Sequence, residues 1–157
     1  MKRRLLLVED DEMLRRALPR LLARLGYDVH VAASNAEVSD DIGSFEVGIF
    51  DINLPDGDGV SLARRLLYSQ TVAHAIFYTG SLELDRVDDA AMLGTIVTKM
   101  DGIAGLRHAL SLTPAAPSPS ASPVLAQRAA PGRGEVSAVR SIESTGAVGA
   151  ADSGSER

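Results

Sequence analysis

Five polar side chains stand where apolar runs stop. Glu9 and Asp10 close Leu5 to Val8, Asp51 closes Val47 to Phe50, Thr79 closes Ala73 to Tyr78, and Lys99 closes Thr95 to Thr98. Brought together, three carboxylates, a hydroxyl and an ammonium have a definite chemistry. Clustered carboxylates hold protons more tightly than usual unless a cation joins them. A Mg²⁺ suits them, held by carboxylates, water and a backbone carbonyl such as that of Asn53. Such a metal, with Lys99, would neutralise a phosphoryl group passing in line to an Asp51 oxygen, and Thr79 would donate its hydroxyl to that group. No histidine base belongs to the pattern, and an ionised carboxylate needs none.

The elements that must position these residues follow from periodicity. Short, wholly apolar runs suit strands buried on both faces. One is expected at Leu5 to Val8, and further strands are expected at Val29 to Ala32, Val47 to Asp51, Ala73 to Thr79 and Thr95 to Thr98. Helical spacing is expected at 12–25, with Leu14, Leu18, Leu21, Leu22 and Leu25 as its stripe, Asp11 as its cap and a kink at Pro19. Further helices are expected at 34–42, 60–68, 82–93 and 103–112, the third with Leu84, Val87, Ala91 and Met92 as its apolar set. Alternating strands and helices imply right-handed βαβ units and a doubly wound parallel sheet. Its ligands bind outside the carboxyl ends of the strands, where the order switches. In an order 2-1-3-4-5, strands one and three are neighbours about 5 Å apart, which unites Glu9, Asp10 and Asp51.

Composition narrows the function. The 157 residues favour one domain with a tail, and a net charge of −5 argues against general nucleic-acid binding. The absence of cysteine removes disulfides and thiolate metal sites. No apolar stretch approaches a membrane span, and the expected location is cytoplasmic. From Thr113 the chain turns rich in Pro, Ala, Ser and Gly, with no aromatic residue. The expected division is a folded domain over 1–112 and a disordered tail over 113–157.

The segments Leu6-Leu7-Val8-Glu9-Asp10-Asp11, Asp51-Ile52-Asn53-Leu54-Pro55-Asp56-Gly57-Asp58-Gly59, Thr79-Gly80 and Thr98-Lys99 resemble the receiver domain of bacterial two-component response regulators. The resemblance spans residues 4 to about 112. It implies a flavodoxin-like (βα)5 fold and a regulatory domain rather than an enzyme. It implies Asp51 as phosphoacceptor, fed by a sensor histidine kinase or phosphotransfer protein, with a protein partner downstream and no direct contact with DNA or membrane. It assigns Glu9, Asp10, Asp51 and the Asn53 carbonyl to Mg²⁺, Thr79 to the switch hydroxyl and Lys99 to the phosphoryl-pairing lysine. Asn53 and Ser81 match positions that tune self-dephosphorylation. Three features depart from the family. Ile96 replaces an aromatic residue, Met100 replaces the proline after the lysine, and the connection at Gly94 and Thr95 is short.

The leading expectation is a phosphoaccepting receiver without an effector domain. The alternative is a receiver-fold binding module that acts independently of phosphorylation, favoured by the altered Ile96 and Met100 positions. A phosphatase with an aspartyl nucleophile wants a second Asp where Asn53 stands. A calcium loop from Asp51 fails because Asp56 and Leu62 occupy the places of its Gly and Glu. His30, His74 and His108 are scattered and read as ordinary structural or surface residues, and Tyr78 reads as core.

Overall fold

The computed structural model describes residues 2–80 and 84–115. Five strands, β1 (Arg3–Val8), β2 (Tyr27–Ala32), β3 (Phe45–Phe50), β6 (Val72–Thr79) and β7 (Gly94–Thr98), form one parallel sheet in the order β2-β1-β3-β6-β7. Two short strands, β4 (Asn53–Leu54) and β5 (Gly57–Asp58), make an antiparallel hairpin between β3 and the next helix. The helices are α1 (Glu12–Arg24), α2 (Gly59–Tyr68), α3 (Leu84–Leu93) and α4 (Gly102–Leu112), with a 3₁₀ turn at Lys99–Asp101.

The central strands β1, β3 and β6 are buried on both faces over most of their apolar residues, whereas the edge strand β2 is partly exposed. Successive side chains of a strand point to opposite faces. Leu6, Val8, Phe50 and Phe77 accordingly pack with Leu62 and Leu66 of α2 in one core cluster. Leu5, Leu7 and Ile49 pack with Leu18 and Leu22 of α1 and Leu106 of α4 in the other. Removing a leucine from either layer leaves a cavity on one face, at a cost of about 2–5 kcal/mol.

The helix expected over 34–42 is not formed. The chain there makes turns, and its free amides are taken elsewhere: Asn35 and Ala36 each donate to the Asp56 carboxylate at 2.8 Å. That carboxylate is held below its usual range by these two bonds, which tie the stretch to the loop after Asp51. Val38 and Ile42 still seal the core as turn residues. The described crossovers therefore carry four α-helices, one fewer than expected.

Smaller differences have local reasons. Helix α1 continues through Pro19, which removes a backbone donor without ending the helix. Asp11 caps it, accepting from the Met13 and Leu14 amides. Among the described side chains of α3 the buried one is Ala90, whereas Ala91 and Met92, expected inside, are exposed, Met92 by 87%. Tyr78 lies in the core as expected. The expected helix start at Leu82 and the expected tail beyond residue 115 lie outside the described residues.

Candidate functional site

The switch in strand order falls between β1 and β3, and their carboxyl ends deliver Glu9 and Asp51 side by side. Each is tied to the sheet by its own amide: Glu9 donates to the Ala32 carbonyl at 3.1 Å and Asp51 to the Val8 carbonyl at 2.9 Å. The ladder thus fixes both acids before any side chain interacts. Glu9 is 1% exposed and Asp51 is 6% exposed, while Asp10 faces solvent. Carboxylate oxygens of Glu9, Asp10 and Asp51 all lie within 4.8 Å of one another.

Lys99 is the counter-charge. Its Nζ lies 2.6 Å from Asp51 Oδ2 and 2.9 Å from Glu9 Oε1. The 3₁₀ turn that carries it is capped by Thr98 and Asp101, each side chain meeting the other's backbone amide. Burial pushes the Lys99 ammonium down, but its bonds to Asp51 and Glu9 outweigh that and raise it above its ordinary value. Burial raises the Glu9 carboxyl to about 7, with Lys99 opposing and the Asp51 charge adding to the rise. A buried acid that keeps a proton near neutrality is short of positive charge. Three hard oxygen donors within reach of one another fit a divalent cation such as Mg²⁺, which would supply it.

The loop after Asp51 is built around one close approach. A Cβ on Gly59 would lie 1.8 Å from the Asp51 carbonyl oxygen, so only glycine lets α2 start there. Asp58 caps α2 through the Val60 and Ser61 amides, and the Asn53 amide donates to Asp51 Oδ1 at 3.2 Å. Thr79, fully buried, ends β6 next to β3 and pairs in register with Thr98 of β7. The sequence-derived residues Glu9, Asp10, Asp51, Asn53, Thr79 and Lys99 therefore share the carboxyl edge of the sheet. Ser81 lies outside the described residues.

Two arginines escaped the sequence reading. Arg15 donates to the carbonyls of Glu9 and Asp10, bracing the acidic turn from α1. Its place one helical turn beyond the cap Asp11 was a usable signal, masked by the neighbouring Arg16, which pairs with Glu12 on the surface. Arg86 of α3 reaches Asn53 Oδ1 at 3.4 Å and stands 3.8 Å from Asp58 Oδ1. Nothing in spacing links it to residues more than 25 positions earlier.

A doubly wound parallel sheet with an acid cluster and a lysine at its switch point is a receiver architecture, and the sequence agrees: residues 5–111 match the response regulator receiver domain family. The chain belongs to that family. It is 36% identical over 86 residues to the aerobic respiration control protein ArcA of Escherichia coli K12, covering 53% of this chain and 36% of that protein. It is 34% identical over 92 residues to the transcriptional regulatory protein AruR of Pseudomonas aeruginosa, covering 54% of this chain and 37% of that protein. The chain thus spans little more than a third of the curated relatives it matches. Among solved structures, the chemotaxis protein CheY4 of Vibrio cholerae superposes with a TM-score of 0.65 at 18% identity, over 73% of this chain and 100% of that one. The receiver domain of HemR from Leptospira biflexa does so with a TM-score of 0.60 at 28% identity, over 72% and 98%. The response regulator TrrA of Thermotoga maritima, solved in complex with Mg²⁺–BeF, gives 0.62 at 22% identity, over 71% and 97%. Among the described residues, no helix is long and apolar enough to cross a membrane.

Proposed function

We propose that this chain accepts a phosphoryl group on Asp51 from a histidine kinase or phosphotransfer protein, in a Mg²⁺-dependent reaction, and signals through a protein partner. An Asp51 carboxylate oxygen forms the new bond to phosphorus, and the bond from phosphorus to the donor histidine nitrogen breaks. The electron pair and a proton from solvent leave with the imidazole. When bound by Glu9, Asp10, Asp51 and the Asn53 carbonyl, Mg²⁺ supplies charge neutralisation. Lys99 remains close enough to pair with the transferred group, and Thr79 offers a hydroxyl from the neighbouring strand. Phosphoryl transfer needs positioning and charge stabilisation more than covalent help, and these residues offer both. The role is regulatory, with at most self-phosphorylation and self-dephosphorylation.

The observation that carries the reading is the convergence of Lys99 on Asp51 and Glu9 inside a carboxylate cluster. The Mg²⁺–BeF complex of TrrA adds support by likeness of fold. The test is incubation with acetyl phosphate, with and without Mg²⁺, followed by intact mass spectrometry. A gain of one phosphoryl group that requires Mg²⁺ and is lost in Asp51→Asn is expected. No gain in the unaltered protein overturns the reading and favours a binding module indifferent to phosphorylation, which the departures at Ile96 and Met100 would suit.

A further inference from the structure

Among the described residues of α3, Arg86 bonds to the loop that follows Asp51, and its contact falls on a meaningful atom. Asn53 is exposed at the rim, two residues past Asp51, with its amide nitrogen bonded to Asp51 Oδ1. An asparagine side chain there has one acceptor, Oδ1, and one donor group, Nδ2. Hydrolysis of a phosphoryl group on Asp51 needs a water whose oxygen faces phosphorus and whose proton is held by an acceptor. Asn53 Oδ1, two residues past Asp51, is an acceptor of that kind, and it accepts from Arg86 Nη1 at 3.4 Å. The same guanidinium nitrogen stands 3.8 Å from Asp58 Oδ1, the cap of α2. The arginine is therefore anchored between two elements, with its partners on the surface.

We infer that Arg86 is a positioning residue that prolongs the life of the phosphoryl group on Asp51 by engaging Asn53 Oδ1. The inference rests on the acceptor reading above. In the step it restrains, a water oxygen bonds to phosphorus and the bond from phosphorus to the Asp51 oxygen breaks. The electron pair returns to the Asp51 carboxylate. Both water protons end on the released phosphate, one on the attacking oxygen and one passed to another phosphate oxygen. Freed from Arg86, the Asn53 amide oxygen orients that water. The Arg86 contacts are long and exposed, and such pairs contribute little to folding. Their loss therefore alters the lifetime and not the fold.

The experiment loads the full chain with acetyl phosphate and Mg²⁺, removes the donor, and follows loss of the phosphoryl mass with time. The proteins are the unaltered chain, Arg86→Ala, Arg86→Lys, Asn53→Ala and the double variant. Arg86→Ala is expected to shorten the lifetime about twofold, the factor an exposed pair makes. Arg86→Lys is expected to restore most of it. In the Asn53→Ala background, removing Arg86 is expected to change nothing, because the restrained atom is gone. Normal loading with an unchanged lifetime in Arg86→Ala overturns the inference alone, as does an equal shortening in the Asn53→Ala background. Failure of the unaltered chain to load overturns both this inference and the acceptor reading.

Discussion

Two stretches of the sheet edge are built to different standards. Around Glu9 and Asp51 every position is determined several times over. Backbone ladders fix both acids, Arg15 braces the turn, Lys99 bridges the carboxylates, and Gly59 admits no side chain. At the exposed positions between α3 and α4 the opposite holds. Met92 and Met100 are 87% and 96% exposed, Ile96 is half-buried, and the link from Arg86 to the loop is a long surface pair. Atoms that do chemistry tolerate little displacement, whereas an exposed surface can have a second arrangement within reach. The contrast sets a tightly held acid cluster against exposed side chains at Met92 and Met100.

The most forceful way to break this contrast is Gly59→Ala. Its methyl would collide with the Asp51 carbonyl, so a loss of about 3 kcal/mol is expected, with weaker phosphoryl loading among molecules still folded. Urea unfolding and intact mass report the two effects. A loss near zero would mean that the loop is as yielding as α3.

Lys99→Met comes next. It leaves Glu9 and Asp51 buried without their cation, and about 2 kcal/mol is expected at pH 8 in the absence of metal. The loss should shrink at pH 5, where Glu9 takes a proton. An equal loss at both pH values would separate the lysine from the Glu9 carboxyl.

The pH dependence of the unaltered protein sharpens the same point. Burial raises Glu9 from 4.5 to about 7, so the folded state keeps a proton that the unfolded state gives up. The sign follows from linkage: this contribution to stability is fully present below pH 4.5 and is lost as pH rises through about 7. Mg²⁺ competes with that proton, so its affinity should climb through the same range and flatten above it. Chemical denaturation without metal and calorimetric titration with Mg²⁺ check the two trends. Metal affinity that is level from pH 5 to 8 would place the ion away from Glu9.

The smallest effect belongs to the other side of the contrast. Met92→Ser and Met100→Ser are expected to shift stability by no more than about 0.5 kcal/mol and to leave phosphoryl loading intact. A larger loss would show that this surface is part of the packed body.

The sheet was legible because its signal is redundant. Runs such as Leu5 to Val8 name a buried strand by composition, and the polar residues Glu9, Asp51, Thr79 and Lys99 at the ends of four strands name the edge where the chemistry gathers. Asp11 and the α1 leucine stripe were legible for similar reasons, being local and periodic. The stretch 34–42 was not. Asp56 ties the amides of Asn35 and Ala36 to the loop after Asp51, a tertiary contact that no window of local sequence contains. Met92 was misplaced because α3 buries Ala90, a small residue whose signal is weaker than that of the methionine beside it. Arg86 was illegible for the same reason as 34–42, since its meaning lies wholly in residues on another element.

The junction at Gly94 has a mechanical consequence. Helix α3 ends at Leu93 and β7 begins at Gly94 with no residue between them, and a Cβ on Gly94 would lie 2.1 Å from the Ala75 carbonyl oxygen. The helix is thus clamped to the sheet at its C-terminal end, and the buried Ala90 seats it one turn further along. It cannot slide along β7 without tearing the strand from β6. What freedom it has is a swing, smallest at Leu93 and widest at the opposite end, where Arg86 meets Asn53. A small push beside Asp51 therefore acts on the longest arm of α3.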